Sequence, residues 1–334
     1  MIWPNGTRAL QALGAGAKAT TVKRLSLVNW RGRLLVETPV GAMAERYGSE
    51  IAFIHRADLQ ATLSMALGRD VLRLDSEVTG FAEERDQVQL KLRDGSVVGG
   101  DFLVGADGLR SAVRRQLLGD GDPVYLGSTV WRGIVSSEGI PLEPGRGVNW
   151  VGRGSEFLAF FLSGHRIYWA CTTKESHGGK PGPGGNKPDV VERFSSWAEP
   201  IPALIAATPE AAILRNDMYD RPPAGRWSRG RVTLVGDAAH PMAPNLGQGA
   251  CQGLEDAVAL GESMKQTSDL AVAFELYERR RMRRANSVVR MSRQASRSTQ
   301  IDNPLLCALR DGLASLLSRG VMLRMLDASL SAQP

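Results

Sequence analysis

Cysteine is scarce: Cys171, Cys251 and Cys307 are the only three in 334 residues, and they stand far apart. No Cys-x-x-Cys pair and no Cys/His ligand spacing exists, which argues against a zinc site, any other metal site and a disulfide framework. Long apolar runs are missing too. No stretch reaches the roughly 18 uninterrupted apolar residues that a membrane span requires. The N-terminus shows no charged segment followed by an apolar run, so no secretory signal is read and a reducing cytoplasm is expected. No internal repeat is visible. No Ser/His/Asp nucleophile arrangement can be singled out. Gly-x-Gly-x-x-Gly after a strand is absent as well: Gly14-Ala-Gly16 follows a helical segment, and no third glycine fits.

What is present describes an ordinary globular chain. The 43% hydrophobic and 23% charged content allows a large core, and the length suggests two domains. The net charge of +6 is concentrated between Arg279 and Arg297. That run reads as a solvated basic helix, with attraction of an anionic partner as the alternative. Nothing points to nucleic acid.

Along the chain, a helix is expected from Thr7 to about Ala19, then strands and turns over residues 22–55. Leu59, Leu63 and Leu67 recur at i, i+4 and i+8, which predicts a helix from Arg56 to Leu67. Val71–Leu74 reads as a short strand. Glu77 to Val104 reads as an antiparallel meander with a tight turn at Asp94-Gly95. Four strands follow around Val130–Ile134, Val148–Val151, Phe157–Leu162 and Arg166–Thr172. Their aromatics, among them Trp131, Phe160, Tyr168 and Trp169, fit either a pocket wall or a core. Helices are expected over Pro188–Trp197, Leu254–Glu262 and Leu270–Arg297, and a strand over Ile213–Tyr219. The tail from Leu305 to Leu330 is amphipathic. It suits packing on its own subunit, or a peripheral contact with a membrane or partner.

The richest stretch is Gly230 to Ala250, Gly-Arg-Val-Thr-Leu-Val-Gly-Asp-Ala-Ala-His-Pro-Met-Ala-Pro-Asn-Leu-Gly-Gln-Gly-Ala. It reads as a buried strand, a turn carrying Gly236 and Asp237, a loop stiffened by Pro241 and Pro244, and a helix. Ligands in open α/β sheets sit beyond the carboxyl ends of strands, where helix N-termini point at them. Asp237 lies at such an end. Gly247 and Gly249 lie where backbone must approach a flat or anionic ligand closely. Two companions share the pattern: Arg56-Ala-Asp-Leu59 opens a helix, and Gly105-Ala-Asp-Gly-Leu-Arg-Ser111 closes another strand.

This combination resembles the FAD-dependent aromatic monooxygenases of the para-hydroxybenzoate hydroxylase fold, especially the urate hydroxylase and zeaxanthin epoxidase branch. Trp131-Arg-Gly, Asn149-Trp-Val-Gly-Arg153 and Asp217-Met-Tyr-Asp-Arg-Pro222 are similar to that branch too. The resemblance implies an α/β (α+β) two-domain protein: a Rossmann-like FAD-binding domain, an antiparallel-sheet substrate domain and a helical tail. The divisions expected are 1–120 and 221–300 for FAD, with 25–55 reaching the substrate side, 121–220 for substrate and 301–334 for the tail.

By that resemblance Asp237 and Gly236 hold the ribityl chain, and Pro244, Gly247 and Gly249 face the isoalloxazine. Arg56 clamps ribityl or phosphate oxygens, and Asp107 lies near the pyrophosphate and the transient path of NAD(P)H. His240 can donate toward the flavin or cap its turn. Arg132, Arg153, Tyr168 and Tyr219 are candidate pocket or gating groups, with Arg132, Tyr219 and His240 the catalytic candidates. The implied reaction uses NAD(P)H and O2 to hydroxylate or epoxidise a small aromatic, heterocyclic or isoprenoid-like substrate through a flavin C4a-hydroperoxide, in a monomer or homodimer. The family's N-terminal Gly-x-Gly-x-x-Gly segment is missing, so Met1 reads as an internal start and the FAD-binding domain as N-terminally incomplete. The alternative is a non-catalytic remnant of the fold, acting as a binding module without tightly held FAD.

Overall fold

The structure is a computed structural model that describes residues 1–16, 19–68 and 71–316. Its first elements are α1 (Pro4–Ala12), β1 (Thr20–Thr21), β2 (Arg24–Asn29), β3 (Leu34–Pro39), α2 (Ala42–Tyr47), β4 (Ala52–Phe53) and α3 (Arg56–Leu67). Strands β5 (Val78–Glu83), β6 (Val88–Leu92), β7 (Val97–Gly100) and β8 (Leu103–Gly105) lead to α4 (Ala112–Leu118). Then come β9 (Val124–Ser136), β10 (Arg146–Val151), β11 (Ser155–Leu162), β12 (Arg166–Lys174), α5 (Asn186–Phe194) and α6 (Ile201–Ala207). The remaining elements are β13 (Leu214–Asp220), β14 (Ser228–Arg229), β15 (Val232–Leu234), α7 (Gly236–Ala239), α8 (Gly249–Gln266), α9 (Leu270–Thr299) and α10 (Pro304–Leu316).

A seven-stranded sheet in the order β13-β9-β12-β11-β10-β2-β3 dominates the mixed α/β fold. Its pairs are antiparallel except β10 with β2. Side chains alternate between its faces. On the far face Trp131, Trp150, Phe157, Ile167 and Trp169 are buried against Phe194, Ile201 and Leu204 of α5 and α6. Each such aromatic burial contributes roughly 1.5–3 kcal/mol, so this face anchors the sheet. Most of the dense aromatics are therefore core. Phe160 and Tyr168 point to the near face, stacked with ring centroids 5.0 Å apart.

A smaller sheet, β14-β15-β8, pairs β15 parallel to β8. All three residues of β15 are buried, packed with Val113, Leu117, Phe274 and Tyr277. A Cβ on Gly105 would lie 2.8 Å from Leu234 and 2.9 Å from Val113, so only glycine lets β8 approach β15 and α4 this closely. The meander β5-β6-β7 forms where the alternation placed it.

Some expectations shift. The first helix starts at Pro4, whose missing N–H costs nothing in a first turn, and it ends at Ala12 ahead of Gly14. Val71–Leu74 is not a strand: its side chains are exposed, and no described strand pairs with it. An extended segment without a ladder gains little. Helix α10 seats Ala314 on Leu35 and Val151 and buries Cys307 near Gly152 and Ile301, while Leu305, Leu309, Leu313 and Leu316 face outward. The expected continuation of that tail to Leu330 lies outside the described residues. Among the described residues no helix is long and apolar enough to cross a membrane.

Candidate flavin and substrate site

The turn after β15 is held from behind. Gly236 adopts φ +55°, a backbone conformation suited to glycine. Its N–H donates to Asp256 Oδ2 of α8 at 2.8 Å, and the same oxygen pairs with His240 Nε2. One buried carboxylate thus ties down both ends of α7. Arg281 of α9 donates through Nε to Asp256 Oδ1 at 2.8 Å, through Nη2 to Gln252 Oε1 at 2.7 Å, and through Nη1 to Glu255. Asn5 of α1 donates to the other oxygen of Glu255. Burial alone would raise the Asp256 carboxyl, but His240 and Arg281 hold it below the ordinary carboxylate range.

The Asp237 carboxylate, by contrast, has no hydrogen bond to any described residue. Its side chain meets solvent, yet it stands in a crowded recess, and that desolvation raises its carboxyl, opposed by the nearby charges of His240 and Arg56. A Cβ on Gly249 would sit 3.7 Å from Asp237 Oδ1 and 3.9 Å from Met242, so the glycine leaves open the space beside the carboxylate. Gly247 has φ +61°, and the loop is pinned by Trp3 Nε1 donating to Leu246 O at 3.0 Å. A free carboxylate, a neighbouring guanidinium and an open glycine cradle before a helix N-terminus fit the ribityl-and-ring part of the flavin. The chain has no Gly-x-Gly-x-x-Gly turn to seat the diphosphate.

A cavity of about 770 Å³ lies between the near face of the seven-stranded sheet and this loop, with Pro244, Asn245 and Gly247 in its wall. Arg56 and His55, at the start of α3, line it as well. From the sheet come Leu27, Leu158 and Phe160, which are apolar, and Arg132, Tyr168, Asn149, Glu156 and Thr172, which are not. Arg132 Nη2 donates to Asn216 Oδ1 at 2.6 Å. Burial pushes the Tyr168 hydroxyl up, with Arg132 opposing it.

Glu156 escaped sequence reasoning. The signal was one acidic residue at the head of the apolar run Phe157–Leu162 in β11. Its Oε1 accepts from Thr172 Oγ1 at 3.0 Å and Asn245 Nδ2 at 2.9 Å, and its Oε2 from Asn149 Nδ2 at 3.5 Å. Burial pushes its carboxyl up, while those three donors and the Arg310 charge oppose the rise. An acid raised in the folded state gives stability that is present at low pH and lost as pH rises through the folded value. Glu156→Gln is therefore expected to melt above the parent at about pH 8, with the difference shrinking toward pH 4, as followed by circular dichroism.

The other candidates are dispersed. Asp107 caps α4, accepting from Ala112 N at 2.8 Å and Val113 N at 3.2 Å. His240 is buried between Asp256 and Trp227, so it braces the turn from behind. Tyr219 is not among the cavity-lining residues: its hydroxyl pairs with His177 at 2.9 Å beneath Arg110. Arg153 is exposed and donates to Asp302 O at 3.2 Å. The structure brings Arg56, Arg132, Tyr168, Pro244 and Gly247 to one cavity, with Asp237 beside Arg56 and Gly249.

Comparison with known proteins accords with this geometry. The family profile described as FAD binding domain matches residues 58–292. Aurachin C monooxygenase/isomerase of Stigmatella aurantiaca is 38% identical over 94% of this chain and 82% of its own length. Chloroplastic zeaxanthin epoxidase of Nicotiana plumbaginifolia is 34% identical over 80% of this chain, but only 42% of that longer protein is spanned. Among solved structures, HpxO of Klebsiella pneumoniae complexed with FAD and uric acid superposes with a TM-score of 0.95 at 29% identity, covering 100% of this chain and 87% of HpxO.

Proposed function

The chain belongs to the FAD binding domain family of FAD-dependent monooxygenases, and from that premise we propose that it uses NAD(P)H and O2 to hydroxylate or epoxidise a small aromatic or heterocyclic compound. Bound FAD, reduced by NAD(P)H, supplies O2 activation and delivery of one oxygen atom, the other leaving as water. The observation that carries the reading is the shared wall: the loop of Pro244, Asn245 and Gly247 lines the same cavity as the sheet face.

The residues divide the work. Asp237 accepts hydrogen bonds from ribityl hydroxyls, and Arg56 faces phosphate or ribityl oxygens as a cation. Helix α8 begins at Gly249, so its unpaired first-turn N–H groups favour negative charge at this loop. Asp256, His240 and Arg281 hold the turn in place before any ligand arrives. Leu27, Leu158 and Phe160 exclude water from the substrate, and Arg132 with Tyr168 supplies polar contacts at the cavity wall.

The test is direct. The purified chain, supplied with FAD, is expected to turn yellow, to oxidise NADPH faster with substrate, and to place label from isotopic O2 in the product. A colourless protein that FAD cannot reconstitute overturns the proposal and favours the binding-module reading. Gly249→Val places two methyl groups beside Asp237 in the open cradle. It is expected to fold as the parent does and to bind FAD about tenfold more weakly in a fluorescence titration.

A further inference from the structure

One corner of the cavity holds three acceptors that are short of donors. Glu156 Oε2 receives only the long bond from Asn149, and Glu156 Oε1 is already engaged by Thr172 and Asn245. The amide oxygens of Asn149 and Asn245 are both buried without a hydrogen-bond partner. Each asparagine gives one N–H to Glu156, while its amide oxygen stays without a partner. The three residues come from adjacent strands β10 and β11 and from the loop before α8, and all three line the cavity. Of the other polar groups that this sheet face brings to the cavity, Thr172 donates to Glu156 and Arg132 donates to Asn216.

We propose that Glu156, Asn149 and Asn245 form a specificity corner that selects neutral heteroaromatic ligands presenting an N–H or O–H donor and rejects carboxylates. This inference rests on the cavity being the substrate site, and it narrows the substrate class. A donor in the ligand ring satisfies acceptors that are otherwise buried and unpaired. A ligand lacking the donor leaves them so, which costs far more than a missing apolar contact. A ligand carboxylate meets the Glu156 charge at low dielectric and is repelled.

The experiment is calorimetric titration of the FAD-supplemented chain at about pH 8. The probes are the lactam carbostyril, its N-methyl derivative and quinaldate. Binding of carbostyril at least about tenfold tighter than either of the others supports the proposal. Glu156→Gln keeps the side-chain volume but turns the ligand-facing oxygen into an N–H group. In that variant the lactam preference is expected to collapse to within about threefold and quinaldate to bind more tightly. Asn245→Ala removes one donor to Glu156 and one acceptor, and it is expected to weaken the preference in the same direction. Equal binding of the three probes, no binding of any, or a preference that survives Glu156→Gln overturns the proposal, the last because it would show steric exclusion of the methyl. Calorimetry needs no turnover, so a failure of the monooxygenase reading shows separately as absent NADPH oxidation with the lactam preference intact.

Discussion

Arg281→Ala is expected to destabilise the chain by about 3–5 kcal/mol, the largest effect of any single change considered. Arg281 is 2% exposed, and its guanidinium engages Glu255, Asp256 and Gln252 at once. Removing it leaves Glu255 and Asp256 buried without the guanidinium they share, although Asp256 keeps His240. Arg284 still reaches Glu255 Oε2 at 3.3 Å, which softens the loss at Glu255 as His240 does at Asp256. Urea unfolding followed by circular dichroism measures the change; a loss below about 1 kcal/mol would sink the argument.

The pH dependence gives a second check. Asp256 is held below its ordinary range, so its contribution is present near neutrality and lost as pH falls through the folded value. The penalty of Arg281→Ala is accordingly expected to be smaller below about pH 4, where the unpaired carboxylates take up protons. Because Asp256 also holds Gly236 and His240, the variant should bind FAD more weakly even where it remains folded.

Asp237→Ala is expected to do the opposite. Its carboxylate holds no described partner and is raised by desolvation, so the folded state loses little without it, within about 0.5 kcal/mol. FAD affinity should fall about 30-fold or more, since each charge-assisted hydrogen bond to a ribityl hydroxyl contributes about 1.5–3 kcal/mol. Asp237→Asn keeps one acceptor oxygen and should fall between. Titration of FAD against each variant, read by flavin fluorescence, decides it. Parent-like affinity in Asp237→Ala would remove Asp237 from the cofactor site.

Much of this was legible before any coordinates. The alternation of Val88, Leu90 and Leu92 and the Asp94-Gly95 turn placed the meander, because period-two patterning and turn chemistry are local. Gly236-Asp237 after Val232–Leu234 placed the strand-end turn, because a buried strand with Val232 and Leu234 inward, followed by a left-handed glycine, leaves the chain few alternatives. Arg56 at a helix start was local too.

Other features depended on side chains from distant segments meeting. Asp256 and Arg281 sit mid-helix in sequences that read as ordinary charged faces; only the packing of α8 on α9 buries them together. His240 followed the same course, drawn behind the turn by Asp256. Tyr219 and Arg132 both sit near motif residues in sequence, yet Arg132 lines the cavity, while Tyr219, on β13 at the sheet edge, pairs with His177. Glu156 is the sharpest case. Its neighbours at positions 149, 172 and 245 are brought together by antiparallel register and by a loop from another part of the chain. Local patterning thus settled the strands, the turn and the flavin signature. Which polar groups are buried, paired and turned toward ligand was settled by register and helix packing, because the cost of burying a charge depends on partners that sequence proximity does not supply.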